Sequence, residues 1–249
     1  MKVLLHQIRA EQRLFWRNRE AAIFVFVFPP LLYLLLGAVY DDEIDGVAAA
    51  DVLLAGLIGY GCANTAFGGL AITQVIRREN GILKRLRGTP LPARAYLTAV
   101  VASTLLVFVA QMLLTLLLGV SLYDASGPTR WLELAVVVAF GGLAFAGMGF
   151  GAAALIRSSE GASAVVNLVI LPMAFLSGSF GPTSSYPAVL QALADVLPLT
   201  YYNQLLERVY LDDLPFHGDP RAIAVVTAWG LAGYLIAWRR FGWMPRERP

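Results

Sequence analysis

Six long apolar segments constrain this chain more than any other feature, because each is about as long as a helix that crosses a bilayer. They cover roughly residues 21–40, 52–76, 97–122, 132–156, 162–181 and 221–238. A helix needs about 20 mostly apolar residues to cross the hydrocarbon core of a membrane. Only 14% of the residues are charged, whereas soluble domains have about 25%. We therefore predict an all-α polytopic membrane protein with six transmembrane helices.

The charged residues fall between these segments and predict their orientation. With a cytoplasmic N-terminus, 16 of the 19 Lys and Arg residues face the cytoplasm, in the segments 1–20, 77–96, 157–161 and 239–249. Membrane proteins carry such an excess in their cytoplasmic loops. Acidic residues gather on the other side, beginning with DDEID at 41–45. We expect a multi-pass protein of the inner (cytoplasmic) membrane with both termini in the cytoplasm, and a single transmembrane domain over 1–249.

Residues 2–19 precede the first span and have the pattern of an amphipathic helix. One face is apolar and another is basic, with Leu4, Ile8 and Phe15 on the first and Arg9, Arg13 and Arg17 on the second. Such a helix lies in the membrane interface, with its basic side toward anionic headgroups. The alternative is an ordinary positive flank that only orients the first span. That span is longer than the apolar region of a cleaved signal peptide, so we expect it to be retained.

The segment 181–220 follows the fifth span on the outer side, yet it is not a polar loop. Pro187 suits the first turn of a helix, where its missing N–H is harmless. Apolar residues continue to Val196, Pro198 interrupts them, and TYYNQLLERVY at 200–210 forms a second helical pattern. Each helix is too short to span the membrane, so we predict two short helices that dip into the outer leaflet. The alternative is a small cap on the membrane surface.

The chain shows no chemistry of its own. It lacks G-x-x-x-x-G-K-[ST], H-E-x-x-H and G-x-S-x-G motifs, so we predict neither a phosphate-binding loop nor a catalytic set. The single cysteine, Cys62, allows no internal disulfide and no cysteine metal site. Asp51 and Glu133 fall at outer span ends, where we expect them to be hydrated. We expect no enzyme activity, metal, cofactor or nucleic-acid partner for this chain.

A dense basic island interrupts the apolar pattern between the second and third segments. Residues 77–94 hold six of the 19 Lys and Arg residues. Within it, 79–87 can form about two turns of helix, with an apolar stripe at Ile82, Leu83 and Leu86. Gly88 and the prolines that follow end this helix. The positive charge alone would only orient the neighbouring spans in the membrane. The apolar stripe and the glycine and prolines that end the helix favour instead a short helix that docks on another protein.

Two stretches resemble a known family, the membrane permeases of type-2 ATP-binding-cassette (ABC) exporters, which include bacterial drug exporters of the daunorubicin-resistance kind. RRENGILKRLRGTPLPARAYL at 77–97 is similar to the segment that follows span two in that family. LPMAFLSGSFGPTSSYPAVLQALADVLPLTYYNQLLERV at 171–209 is similar to the family signature from span five onward. Together with the six-span plan, the resemblance covers essentially the whole chain.

The resemblance implies three specialised segments: an interface helix at 2–19, a coupling helix at 79–88 that docks on a cytoplasmic ATPase, and re-entrant helices at 187–210. It implies ATPase contacts at Glu79, Leu83, Lys84, Arg85 and Arg87. It implies dimer or pathway positions at Phe28, Pro29, Asn167, Leu171 and Phe175. It implies exit-side positions in the re-entrant helices at Pro187, Leu190, Pro198 and Tyr201.

The resemblance also implies how such a chain would work. Two permeases, either identical copies or siblings, would pair with two ABC ATPase subunits that bind ATP and Mg²⁺, in contact with membrane lipid. The family alone does not assign the substrate, but the near absence of charge in the spans favours a hydrophobic or amphipathic one, either drug-like or lipid. The alternatives are a six-span secondary carrier or channel, which predicts intramembrane charges and inverted repeats, and a membrane-bound enzyme.

Overall fold

The computed structural model describes residues 2–40, 43–44, 46–184 and 186–245, and these are mostly helical. The helices are α1 Lys2–Arg17, α2 Arg19–Gly37, α3 Ala49–Cys62, α4 Leu70–Glu79, α5 Ile82–Arg87, α6 Ala93–Leu122, α7 Trp131–Leu155, α8 Ala162–Leu176, α9 Ala188–Ala194, α10 Pro198–Tyr210 and α11 Pro220–Arg240. A π-helical segment, Ala63–Gly69, joins α3 to α4, and a 3-10 turn covers Phe216–Gly218. Predicted features at Asp41, Asp42, Asp45, Ser185, Arg246 and Arg248 lie outside the described residues.

The all-α polytopic architecture is confirmed, with one difference in the fifth predicted span. Five helical stretches in the described residues are long and apolar enough to cross a membrane: Arg19–Gly37, Ala49–Glu79, Ala93–Leu122, Trp131–Leu155 and Pro220–Arg240. The fifth predicted span, 162–181, is a 15-residue helix, α8, that ends at Leu176. At 1.5 Å per residue it is about 22 Å long. It is therefore shorter than a hydrocarbon core of about 30 Å.

The second span is the centre of the molecule. It runs as one helical rod through α3, the π-helical segment and α4, and it contacts α2, α6, α7 and α10. Almost all of α3 is buried. Buried on every side, this span carries apolar and small residues all round rather than one apolar stripe. The π-helical segment was not predicted, because a local change of helical pitch leaves no periodic signal in the sequence.

Helices α7 and α11 are in close backbone contact through glycines. A Cβ atom added to Gly233 would lie 2.5 Å from the carbonyl carbon of Gly147, and one added to Gly151 would lie 2.8 Å from the carbonyl oxygen of Gly233. Small residues let helix backbones approach in this way. The G-rich stretch of α7 therefore fixes where α11 packs.

The N-terminal end of the second span differs from the sequence expectation. A two-residue antiparallel ladder pairs β1 Glu43–Ile44 with β2 Val47–Ala48 just before α3. The prediction that Asp51 is hydrated is wrong, because its side chain is 7% exposed. Its carboxylate accepts a hydrogen bond of 2.7 Å from the Ser126 N–H and lies 3.2 Å from the Tyr210 hydroxyl. A buried carboxylate needs such partners.

Candidate coupling site and exit cap

The candidate coupling helix is shorter than the sequence predicted. Glu79 is the last residue of α4, and α5 begins only at Ile82. Between them Gly81 has a φ of 68°, a left-handed conformation that glycine adopts without strain. Because of this break, residue 79 does not belong to the coupling helix. The predicted stop is in place, since α5 ends at Arg87 and Gly88 follows.

The apolar side of α5 faces the protein. Leu83 is 0% exposed and lies in a cluster with Leu70, Tyr96 and Val100. Leu86 packs against the same cluster. In this conformation Leu83 therefore anchors α5 to the membrane helices, and its side chain is not available to a partner.

The opposite side of α5 is basic and exposed. Lys84, Arg85 and Arg87 are all exposed, as are Gly88 and the two residues after it. The Thr89 hydroxyl donates a hydrogen bond of 2.7 Å to the Leu86 carbonyl, which closes the C-terminal end of the helix. The site is thus a short, anchored helix with three cations on its free surface.

Arg78 joins the end of α4 to the end of α7. Its side chain is 2% exposed. One terminal nitrogen donates to the Ala153 carbonyl at 2.8 Å and the other to the Ile156 carbonyl at 2.6 Å. The carbonyls at the end of a helix lack intrahelical partners and carry partial negative charge, so a guanidinium is a favourable cap. Glu79 pairs with the same guanidinium at 2.7 Å.

Arg77 joins the end of α4 to α1 and α6. It forms an ion pair of 2.7 Å with Glu11 of α1, and both side chains are largely buried. Its guanidinium also donates to the Tyr96 hydroxyl at 3.0 Å. That hydroxyl donates in turn to the Gln74 Oε1 atom at 2.9 Å. Two adjacent arginines therefore fasten the segment that leads into α5 to three other helices.

The predicted dimer or pathway residues divide into exposed and enclosed positions. Asn167, Leu171 and Phe175 share one exposed face of α8. Pro29, by contrast, is buried within its own chain. Phe28 is half-buried, so α2 presents less of the predicted surface than α8 does.

A row of aromatic rings nevertheless connects Phe28 to Phe175 within the chain. Phe28 lies 6.2 Å from Tyr60, Tyr60 lies 5.1 Å from Phe180, and Phe180 lies 4.9 Å from Phe175, all between ring centroids. Offset and edge-to-face pairs at these distances are favourable. The rings therefore connect α2, α3 and α8 directly.

The two predicted helices at 187–210 are present as α9 and α10. Pro187 precedes the first residue of α9, and Pro198 is the first residue of α10. Leu190 is exposed, whereas Tyr201 is buried and its hydroxyl donates to the Asp195 carbonyl at 2.9 Å. Asn203 donates to the Ser177 carbonyl at 2.8 Å, which ties α10 to the turn after α8.

A cavity of about 510 Å³ lies beside this helical pair. Asp195, Asn203 and Glu207 are among its lining residues. Burial, and then the neighbouring charge of Asp212, raises the pKa of Glu207 to about 7. Nearby, hydrogen bonding from Thr129 and the charge of Arg130 hold the pKa of Asp213 below its usual value. Because these helices hold the predicted exit-side positions, we call α9, α10 and this cavity the exit cap, a name that carries the prediction.

Comparison with known proteins decides the family. A family model described as "ABC-2 type transporter" matches residues 4–211. The match spans α1 to α10, and so includes both the coupling site and the exit cap. The chain belongs to the ABC-2 type transporter family.

Individual relatives agree with this assignment. The ABC-2 chain is 24% identical over 204 residues to YvfS of Bacillus subtilis (strain 168), which is named as a transport permease, covering 81% of this chain and 83% of the relative. It is 39% identical over 90 residues to Nodulation protein J of Rhizobium leguminosarum bv. trifolii, covering 35% and 34% of the two chains. A third relative, Nodulation protein J of Rhizobium meliloti (strain 1021), is 35% identical over 88 residues, or 34% of each chain.

Family membership settles the general role. The ABC-2 chain is a multi-pass membrane protein of a transport-permease family, a transport subunit rather than a catalytic one, and such permeases in general pair with an ABC ATPase. The prediction of the family is confirmed.

Several residues around the candidate coupling site carry little signal in the sequence of the ABC-2 chain. Glu11 and Tyr96 contact the Arg77 guanidinium, and Gln74 accepts a hydrogen bond from the Tyr96 hydroxyl. The periodicity of α1 offered one signal, since Glu11 interrupts its basic and apolar pattern. The pairing itself depends on contacts between distant segments.

Proposed function

We propose that this chain is the membrane-spanning permease of an exporter that is driven by a separate ABC ATPase. The main support for this proposal is the geometry of α5, which is anchored to the membrane helices by Leu83 and exposes three cationic side chains. Arg77 and Arg78 fasten the preceding segment to α1, α6 and α7. A force applied to α5 would therefore reach several membrane helices at once.

In this proposal Lys84, Arg85 and Arg87 contact an ATPase that binds ATP and Mg²⁺. This contact and both chain termini lie on the cytoplasmic side of the membrane. ATP can move the permease only by binding one conformation of the complex more tightly than another. The chain works as a pair, with a second copy or a sibling permease against the exposed face of α8. An exposed amide, Asn167, on that apolar face supports this contact, because an unpaired amide in lipid is unfavourable.

The proposed substrate is hydrophobic or amphipathic, either a drug-like molecule or a lipid, and it leaves through the exit cap. Apolar and aromatic side chains, including the Phe28 to Phe175 row, support an apolar path. A secondary carrier would need an ion-coupling site. The buried acid Asp51 is a poor candidate, since its carboxylate is already hydrogen-bonded at the outer end of α3.

A pull-down tests the proposal. The tagged protein is purified from membranes of its own host in mild detergent, and the proteins that accompany it are identified by mass spectrometry. We expect a stoichiometric ATPase subunit with the unmodified protein and its loss with the double variant R85E/R87E. The matched control is R239E/R240E, which reverses two exposed arginines at the end of α11. Equal ATPase recovery with both variants, or ion-driven transport by the protein alone, would contradict the proposal.

A further inference from the structure

A cavity of about 440 Å³ lies between α1, α2, α4 and α6, apart from the exit cap. Its volume is within the range of about 300–1,000 Å³ that is typical of small-molecule sites. Phe15, Val25 and Val107 form part of an apolar wall, and Gln74, Arg77 and Glu11 form part of a polar one. The cavity is therefore amphipathic, with its polar groups gathered beside the coupling site.

The polar wall carries no net charge. Glu11 and Arg77 neutralise each other across 2.7 Å, and Gln7 donates a further hydrogen bond of 3.1 Å to the Glu11 carboxylate. A guest with a net charge would lose hydration without finding an unpaired opposite charge in this wall. An uncharged or zwitterionic guest avoids that cost.

Gln74 gives the wall an unused donor. Arg77 donates to the Tyr96 hydroxyl, so the single proton of that hydroxyl is free to go to the Gln74 Oε1 atom. This arrangement fixes the orientation of the amide. Gln74 is 1% exposed, and its Nε2 atom has no hydrogen-bond partner in the described part of the chain. A buried donor without a partner is costly, and an acceptor on a bound molecule would satisfy it.

The π-helical segment adjoins the same cavity. Thr65 and Gly69, near its two ends, are among the lining residues. Helical segments of this kind occur frequently at functional sites, because they displace side chains from the regular helical register. The distortion of the second span and the cavity therefore coincide.

We propose that this cavity binds an amphipathic molecule whose head group is uncharged or zwitterionic and carries hydrogen-bond acceptors. The head group lies against Gln74 and the Glu11–Arg77 pair, and the apolar part lies against Phe15, Val25 and Val107. The link from this site to export rests on the proposed function, whereas occupancy of the cavity does not.

Photolabelling of the permease alone tests occupancy. The purified protein is placed in nanodiscs of phosphatidylcholine that contain a photoreactive phosphatidylcholine with a diazirine near its ester carbonyls. After illumination, mass spectrometry maps the labelled peptides. We expect labelling of α1 and α6 at the cavity, and about a fivefold weaker signal in Q74L, the loss typical of one hydrogen bond.

Two pairs of variants separate the site from general damage. Y96F removes the Tyr96–Gln74 hydrogen bond, as Q74L does, and the Arg77–Tyr96 hydrogen bond as well, but it keeps the Nε2 donor. Its labelling should therefore stay within about twofold of the unmodified protein. T73W places a large ring on a residue that lines the cavity and should abolish labelling, whereas L231W places the same ring on an exposed face of α11 and should not. Gel filtration confirms that each variant is folded. Equal labelling in T73W and L231W overturns the proposal.

Solvent extraction distinguishes a resident membrane lipid from transported cargo as the molecule bound in this cavity. Protein from its own host's membranes is stripped with organic solvent, and the extracts of the unmodified protein and T73W are compared by mass spectrometry. A phospholipid depleted in T73W identifies a resident lipid, and another amphipathic compound identifies cargo. Identical extracts contradict the site. Failure of the ATPase pull-down with intact photolabelling would reject the exporter proposal and leave the site standing.

Discussion

Glu11 and Arg77 form an ion pair of 2.7 Å between the first helix and the end of the second span. Removing one member of a buried pair leaves the other charge uncompensated, at a cost of about 3–5 kcal/mol. We therefore expect Glu11→Ala to lower the free energy of unfolding by about 3 kcal/mol, measured by chemical unfolding in detergent. The matched control is Glu20→Ala at an exposed position. The double variant E11L/R77M should recover much of the loss, and no recovery would contradict the assignment.

Arg78 should not be replaceable by lysine. Its two terminal nitrogens reach two carbonyls at the end of α7, and a single ammonium cannot reproduce that fork. Each hydrogen bond to a charged group contributes about 1.5–3 kcal/mol. Arg78→Lys should therefore lower thermal stability clearly, while Arg157→Lys at a neighbouring exposed position should not. Equal melting temperatures for the two variants would show that the carbonyl contacts contribute little.

The contact between α7 and α11 leaves no room for a methyl group at Gly233. Its added Cβ atom would lie 2.5 Å from the Gly147 backbone, so the helices must separate. Overpacking of this kind costs about 1–3 kcal/mol. Gly233→Ala should lower the melting temperature in detergent. Gly127→Ala, where nothing lies within 4 Å of the added atom, is the matched control and should leave it unchanged.

Glu207 should make the stability of the exit cap depend on pH. Its pKa is raised from 4.5 to about 7, so the folded chain holds its proton more tightly than the unfolded chain. Stability is then highest below pH 4.5 and falls as the pH rises to about 7. Melting curves should show this loss, and Glu207→Gln should remove it. Glu20→Gln should retain the full pH dependence, and a flat profile in the unmodified protein would reject the assignment.

Features with a local signal could be predicted from the sequence. Gly88 and the two prolines that follow correctly marked the end of α5, because glycine and proline act on the backbone at their own positions. Pro187 and Pro198 likewise marked the starts of α9 and α10. The apolar runs predicted the membrane helices because hydrophobic length is itself the physical requirement for spanning.

Features that depend on contacts between distant segments could not be predicted from the sequence. Asp51 falls at a span end and was expected to be hydrated, but Ser126 and Tyr210 enclose it. Leu83 has the pattern of a docking residue, yet α4 and α6 bury it. The burial of a side chain depends on all the residues packed around it, and a sequence pattern does not show which distant residues these are.

The amino-acid sequence by itself determined the class of protein, the approximate spans and the family, because these follow from apolar length, charge placement and local motifs. The tertiary structure alone decided which charges meet. Arg77 and Arg78 are adjacent in sequence, yet one pairs with Glu11 and the other caps α7. Consecutive residues of a helix point in directions about 100° apart, so each meets a different neighbour, and only the packing of the helices determines which one.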